Sequence, residues 1–341
     1  MKVLVYFEKQ KTIKQSGIGR ALKHQKKALE LNNVDFTLNE NENFDIAHIN
    51  TYFDDSQRLI KKCKKRHIPI IAHGHSTKED FKNSFRCWKL ISPIYNDFIL
   101  SLYRSADAII TPTPYSKSLI ENYEGVNCPV YAISNGIMLE EYQYNQENVD
   151  AFDNYFKLPK DKKIVICAGL FFDRKGLFDF FEVAKKMEDV TFIWFGHLAP
   201  ILTPIKNLNA IKHRPKNVIM PGYMTKELKG AFYRASAFLF LSKEETEGIA
   251  VLEAMASHLP VVVRDIPVYN GWLEDKKHVL KGKNVDEWIE CLNYIFNNDT
   301  KVMTDEAYKV CEERTLDKVG AQIKEVYEIT YNKAQEEKHT N

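Results

Sequence analysis

Twice along this 341-residue chain, short apolar runs without polar alternation are separated by stretches of helical periodicity. A strand buried on both faces reads as such a run, because helical crossovers cover both sides of a parallel sheet. In the first half the pattern predicts strands over 2–7, 45–49, 69–72, 108–111 and 130–133, with helices over 20–31, 56–66 and 115–123. A turn follows at Asn135-Gly136, and the polar segment 140–161 reads as a linker. The pattern then restarts. Strands are expected over 163–168, 190–195, 218–220, 238–241 and 260–263, with helices over 178–187, 226–236 and 249–257. Residues 316–333 have helical periodicity through Val319, Ile323, Val326 and Ile329, and the tail from Ala334 to Asn341 reads as frayed. Two doubly wound α/β domains with a cleft between them account for this order, and such sheets bind ligands at the carboxyl ends of their strands.

Composition narrows the class. Hydrophobic residues make up 44% and charged residues 28%, the balance of a soluble globular protein. The six cysteines are scattered with no Cys-x-x-Cys, which points to reduced thiols and a cytosolic protein. Nothing long and apolar precedes the first strand, so no signal peptide is expected, and no stretch approaches ~18 apolar residues. Net charge is +2, but residues 56–104 hold eleven Lys or Arg against three Asp or Glu, a local +8. Residues 2–30 hold eight against two, a local +6.

The stretch 242–256 carries the most chemistry. It reads Ser-Lys-Glu-Glu-Thr-Glu-Gly-Ile-Ala-Val-Leu-Glu-Ala-Met-Ala and runs from the end of a predicted strand through Gly248 into a helix. A helix N-terminus, here the N–H groups of Gly248 and Ile249, offers unpaired donors to phosphate. The carboxylates Glu245 and Glu253 suit hydroxyl groups, so a nucleotide-sugar ligand fits better than a bare nucleotide. A solvated acidic loop capping a helix is the alternative reading, and Glu244 and Glu247 read as solvated neighbours. Gly169 opens a second strand-to-helix loop that ends in Arg174-Lys175-Gly176, where cations can neutralise a leaving diphosphate or simply form an exposed basic turn. Gly17 and Gly19 lie between the first strand and first helix, as a loop able to close over a ligand or as a plain turn; position 22 is Leu, which excludes Gly-x-Gly-x-x-Gly. No Asp-x-Asp and no zinc spacing occur, so no metal is expected.

Residues Phe81, Phe85, Trp88, Ile91, Tyr95, Phe98 and Leu102 recur at helical spacing, beside a basic stripe of Lys78, Lys82, Arg86 and Lys89. Pro93 is expected to break or kink this element. A basic aromatic helix suits an anionic membrane surface; a core-facing surface helix is the alternative, and no motif for nucleic acid accompanies it.

On these residues the chain resembles the retaining glycosyltransferases of family 4. Glu245 and Glu253 match the family's Glu-x7-Glu motif, and Asn135-Gly136-Ile137 its Asn-Gly-Val/Ile turn. Residues 169–176 match its Gly-Arg-x4-Lys-Gly loop, with Leu170 in place of the usual Arg and Arg174 as the expected substitute. The resemblance covers nearly the whole chain and implies the GT-B fold, two Rossmann-like domains facing a central cleft, with the C-terminal helix crossing back. Domains are then expected at 1–140 plus 318–341 and at 141–317. It also implies that Arg174 and Lys175 stabilise departing UDP, that Glu253 binds the ribose, and that Glu245 and His75 meet the transferred hexose. His73 competes with His75 for that role. Ser257-His258 departs from the glycine usual near 258.

Within the family, Ser16–Arg20, 73–81, 244–248 and 264–269 resemble bacterial glycolipid synthases of Gram-positive type, best the enzymes that add a second hexose. The expected donor is UDP-glucose or UDP-galactose and the expected acceptor monoglucosyl-diacylglycerol. Alternatives are diacylglycerol itself, or a soluble polysaccharide or teichoic acid precursor. The expected location is the inner face of the cell membrane, and front-face substitution the expected mechanism.

Overall fold

The computed structural model describes residues 1–8, 17–80, 82, 84, 88–197 and 199–340. The chain divides into two compact units. The first comprises Met1–Phe81, Lys89–Gly136 and Arg314–Asn341, and the second Lys82–Trp88 and Ile137–Glu313. The divisions thus fall at 136/137 and 313/314, where the sequence suggested 140/141 and 317/318, and 82–88 groups with the second unit.

The first unit is built on β1 (Val3–Tyr6), α1 (Gly17–Leu31), β2 (Phe36–Thr37), β3 (Ile46–Ile49), α2 (Asp54–Lys65), β4 (Ile70–His73), α3 (Trp88–Ser105), β5 (Ala108–Thr111), α4 (Pro114–Glu121) and β6 (Val130–Ala132). Its strands form one parallel sheet in the order β2-β1-β3-β4-β5-β6. Strands β3, β4 and β5 are buried along their whole length, which is why they are mostly apolar without alternation, each with a single polar residue (His48, His73 and Thr111).

The second unit begins with a 3-10 turn at Leu139–Tyr142 and α5 (Gln146–Phe156), followed by β7 (Ile164–Ala168), α6 (Leu177–Lys186), β8 (Thr191–Phe195), α7 (Ile205–Lys212), β9 (Val218–Gly222), α8 (Lys226–Arg234), β10 (Ala237–Phe240), α9 (Ile249–Ala256), β11 (Val261–Arg264), β12 (Leu280–Gly282), α10 (Val285–Asn297) and α11 (Lys301–Glu312). Its sheet is also parallel, in the order β12-β11-β10-β7-β8-β9. The strand order therefore reverses between β7 and β10, the arrangement of a doubly wound nucleotide-binding sheet.

Several expectations need correcting. Residues 140–161 are no linker: α5 is capped by the Asn145 side chain, which accepts from Asn148 N at 3.1 Å, and it buries Val149 and Phe152 beside α8. Two buried apolar residues in eleven are too few to show as a periodic pattern. The tail is not frayed, because α12 (Leu316–Thr340) continues through it. Pro93 does not break α3, since it stands in the second turn, where the one backbone bond that it removes lies near the helix start. His258 adopts φ +53°, and with Leu259 it closes α9 in a Schellman motif (His258 N to Met255 O at 3.0 Å, Leu259 N to Ala254 O at 3.1 Å). The left-handed cap expected of glycine is thus kept by histidine.

Helix α12 lies in the first unit. Its Val319, Ile323, Val326 and Tyr327 join the core formed with β1, β3 and β5, whereas Ile329 is exposed. Gly320 permits the approach of α1, since a Cβ there would lie 2.2 Å from Ala28 O. Glycine to alanine in a helix normally stabilises by about 1 kcal/mol. Gly320→Ala is expected to reverse that sign and cost about 2 kcal/mol or more through overpacking, read as a lowered midpoint in urea unfolding.

Candidate functional site

Two loops leave the carboxyl ends of β7 and β10, where the strand order of the second unit reverses, and ligands of doubly wound sheets bind there. The first loop spans 169–176 and leads into α6, and the second spans 241–248 and leads into α9. Each helix starts at a left-handed glycine, Gly176 (φ +81°) and Gly248 (φ +94°). Gly176 is sterically required, because a Cβ would stand 2.3 Å from Leu241 O. The loops consequently meet backbone to backbone. Arg174 O accepts from Lys243 N at 2.7 Å and from Ser242 Oγ at 3.2 Å.

This contact fixes the charged side chains. Arg174 donates from Nη1 to Glu244 O at 2.6 Å and from Nε to Ser84 Oγ at 3.0 Å. Lys175 Nζ pairs directly with Glu245 Oε1, and Arg174 Nη1 stands 3.9 Å from the same oxygen. Burial alone pushes the Glu245 carboxyl up, but the Lys175 and Arg174 charges outweigh it and hold the group below its usual range. At neutral pH the site is therefore two cations sharing one buried carboxylate, beside the start of α9. An anionic ligand can recruit the unneutralised positive charge, and Glu245 can accept from hydroxyl groups. Around the rim, Asp173 accepts from Lys206 Nζ and Lys243 Nζ at 2.7 Å each, and Arg264 pairs with Asp179 at 2.6 Å.

Of the residues singled out from sequence, Gly169, Arg174, Lys175, Glu245, Gly248, Ile249 and Glu253 all lie in these two loops and α9. Glu253 is almost fully buried. Glu247, expected to be solvated, is equally buried, so three carboxylates are enclosed within nine residues. Gly169 O accepts from Trp194 Nε1 at 2.9 Å and would meet any Cβ at Gly196 at 2.0 Å, which ties the loop to the end of β8. Sequence reasoning included Ser242, Asp173 and Tyr269 in its motif stretches but gave none of them a role. The last is fully buried, with its hydroxyl 3.5 Å from where a Gly248 Cβ would stand.

The other predicted residues belong to the first unit or its flanks. Gly17 and Gly19 are in the first turn of α1 rather than in a loop. His73 ends β4, and His75 follows it with Nε2 2.9 Å from Asn50 Oδ1. Lys78 precedes α3 and lies over the Tyr123 ring at 4.3 Å, so it is not on the helical stripe. Lys82 and Lys89 are exposed, and Trp88 is the first residue of α3. Phe81, Phe85 and Arg86 lie outside the described residues. Along α3 the expected apolar face divides: Leu102 is core, Tyr95 and Phe98 are half-buried and Ile91 is 45% exposed, while Ile99, Leu100 and Tyr103, which are not on that face, are also core and Leu90 and Ile94 are 78% and 61% exposed.

The ion pair has a thermodynamic signature. A carboxyl held low in the folded state contributes stability above its unfolded pKa, near 4.5, and that contribution is lost as pH falls through the folded value. Urea titrations between pH 3 and 6 are expected to show stability rising with pH across this window, and Glu245→Gln is expected to flatten the rise.

Comparison with known proteins agrees with this architecture. A family model described as "Glycosyltransferase Family 4" matches residues 22–141, and one described as "Glycosyl transferases group 1" matches residues 148–315. The chain is 47% identical over 329 residues to the processive diacylglycerol alpha-glucosyltransferase of Acholeplasma laidlawii, covering 96% of this chain and 98% of that one. It is 26% identical over 249 residues to the alpha-galactosylglucosyldiacylglycerol synthase of Streptococcus pneumoniae, covering 70% and 65%. The fold is similar to Anabaena HepE, solved in complex with UDP-glucose (TM-score 0.76, 14% identity, 96% of this chain and 99% of that chain). Taken with the twin doubly wound units and the loop pair at the strand reversal, these likenesses show that the chain belongs to the family 4 glycosyltransferases.

Proposed function

We propose that this glycosyltransferase transfers glucose from UDP-glucose to diacylglycerol with retention of the α configuration, and that it then adds glucose to its own product. The observation that carries the reading is the 47% identity, over nearly the full length of both chains, to a protein named a processive diacylglycerol alpha-glucosyltransferase. It favours diacylglycerol as first acceptor over the monoglucosyl-diacylglycerol expected from sequence motifs, which becomes the acceptor of the second round.

In this reading the diphosphate of the donor sits against Arg174, Lys175 and the start of α9. The two cations supply the countercharge, without a metal, as the bond between the anomeric carbon and the phosphate oxygen breaks. Glu253 receives the ribose hydroxyls and Glu245 the hexose. The acceptor oxygen bonds to the anomeric carbon on the face that the phosphate leaves, its proton passes to a phosphate oxygen, and UDP departs.

Two features of the first unit support a lipid acceptor. Arg58, Lys61, Lys62, Lys65 and Arg66 line one surface hollow on and just after α2. Helix α3 presents Leu90, Ile91 and Ile94 to solvent, and it is tied to α2 by Ser101 Oγ donating to Gln57 Oε1 at 2.6 Å. Basic side chains contribute about 1 kcal/mol each at an anionic surface, so this pairing of charge with exposed apolar residues suits reversible attachment to the inner leaflet. Among the described residues no helix is long and apolar enough to cross a membrane.

The test is incubation of radiolabelled UDP-glucose or UDP-galactose with vesicles holding diacylglycerol or monoglucosyl-diacylglycerol, with and without phosphatidylglycerol. Glucosyl-diacylglycerol followed by the diglucosyl lipid is expected, with more product on anionic vesicles. Failure to glucosylate diacylglycerol would overturn the reading. Replacing Leu90, Ile91 and Ile94 together with serine is expected to reduce vesicle sedimentation several-fold.

A further inference from the structure

A third loop of the second unit reaches the charged loop pair. It follows β11, the neighbour of β10, and ends in a 3-10 turn at Pro267–Tyr269. The turn holds Tyr269 by both backbone groups: its N–H donates to Ile266 O at 3.2 Å, and its carbonyl accepts from Leu273 N at 3.0 Å. The Tyr269 ring is fully buried and packs on Trp272, with centroids 5.8 Å apart. Its hydroxyl is directed at the start of α9, where a Cβ on Gly248 would stand 3.5 Å from Tyr269 Oη and 3.6 Å from the edge of the Phe240 ring. Over that same Phe240 ring, 5.3 Å from its centroid, lies Lys175 Nζ, the partner of Glu245.

The Tyr269 hydroxyl has no hydrogen-bond partner among the described residues. A buried donor without an acceptor is costly, so its presence calls for a reason. Burial first, then the Glu245 charge and the Cys167 thiol, hold the phenol well above its usual range, so it keeps its proton and remains a donor. Glu245 is buried as well, and its Oε1 is taken by Lys175. An anion that draws the Lys175 ammonium toward itself weakens that pairing. A buried carboxylate that loses a donor is pushed toward protonation, and a protonated Glu245 accepts poorly from hydroxyl groups.

We propose that Tyr269 is a positioning residue that takes over Glu245 when an anionic ligand draws Lys175 away: its hydroxyl then donates to the carboxylate and keeps it ionised and oriented. The exchange needs a rotation of the hydroxyl hydrogen and a turn of the Glu245 side chain, and no covalent bond is made or broken. Tyr269 acts through Glu245, because its own hydroxyl is closed to ligand by burial. Every residue involved lies in the second unit. The inference rests on the reading that the donor diphosphate meets Arg174 and Lys175, but not on the identity of the sugar acceptor.

The test uses the full chain labelled with 13Cζ-tyrosine, the Tyr269 signal being assigned by Tyr269→Phe. Saturating UDP is expected to move that signal, and Lys175→Ala is expected to move it in the same direction without ligand, because Glu245 then already takes the hydroxyl. By calorimetry UDP is expected to bind Tyr269→Phe about fivefold more weakly than wild type, the scale of one hydrogen bond. In the Lys175→Ala background the same substitution is expected to change UDP affinity by less than about twofold, since no lysine is left to be displaced. Without ligand the urea midpoint of Tyr269→Phe is expected to equal or exceed that of wild type, because the hydroxyl lost was unpartnered. A lower midpoint, which a structural hydrogen bond would give, overturns the proposal. So does a Tyr269 signal that ignores both UDP and Lys175→Ala, or a Tyr269→Phe protein that binds UDP as wild type does. A signal moved by Lys175→Ala, with UDP bound equally by wild type and Lys175→Ala, supports the bond from Tyr269 to Glu245 and overturns the diphosphate placement instead.

Discussion

The candidate site depends on one close backbone contact, the approach of Gly176 to Leu241 O. No side chain can occupy that space, so the loop after β7 and the loop after β10 are held together at the point where the strand order reverses. The hydrogen bonds from Lys243 N and Ser242 Oγ to Arg174 O follow from it, as does the placing of Lys175 on Glu245. A buried ion pair is not by itself a source of stability, because desolvation offsets the attraction. Its value here is chemical: it stores two cations and a carboxylate, already desolvated, where an anionic ligand of a doubly wound sheet belongs.

The two units carry different chemistry. The second holds the charged loop pair and three buried carboxylates, residues suited to phosphate and hydroxyl groups. The first holds a neutral imidazole stack, a basic hollow along α2 and exposed apolar residues at the start of α3. Neutral imidazoles and a strongly basic surface coexist in one unit because burial separates them.

The parallel sheets were legible because buried strands such as 237–240 carry uninterrupted apolar runs and 70–73 departs from one only at its last residue. The loops 169–176 and 241–248 were legible because their glycines, cations and carboxylates are local in sequence. What stayed hidden depends on long-range packing. Helix α5 buries only Val149 and Phe152, so its sequence looks like a polar linker. Glu247 is charged and follows Glu244, Glu245 and Thr246, a polar run that does not signal that the fold encloses it. The apolar periodicity of α3 was visible, but not that Leu102 would enter the core while Ile91 stayed exposed. The partnership of Tyr327 with His48 spans 279 positions and has no sequence signature.

The most direct measurement is calorimetric titration of UDP into the wild-type protein and into Lys175→Ala, at fixed low salt. If the loop pair at the strand reversal holds the donor diphosphate, removing one charged partner weakens UDP binding by roughly 10- to 100-fold. Equal affinities for the two proteins, with the variant shown to be folded, would contradict the account.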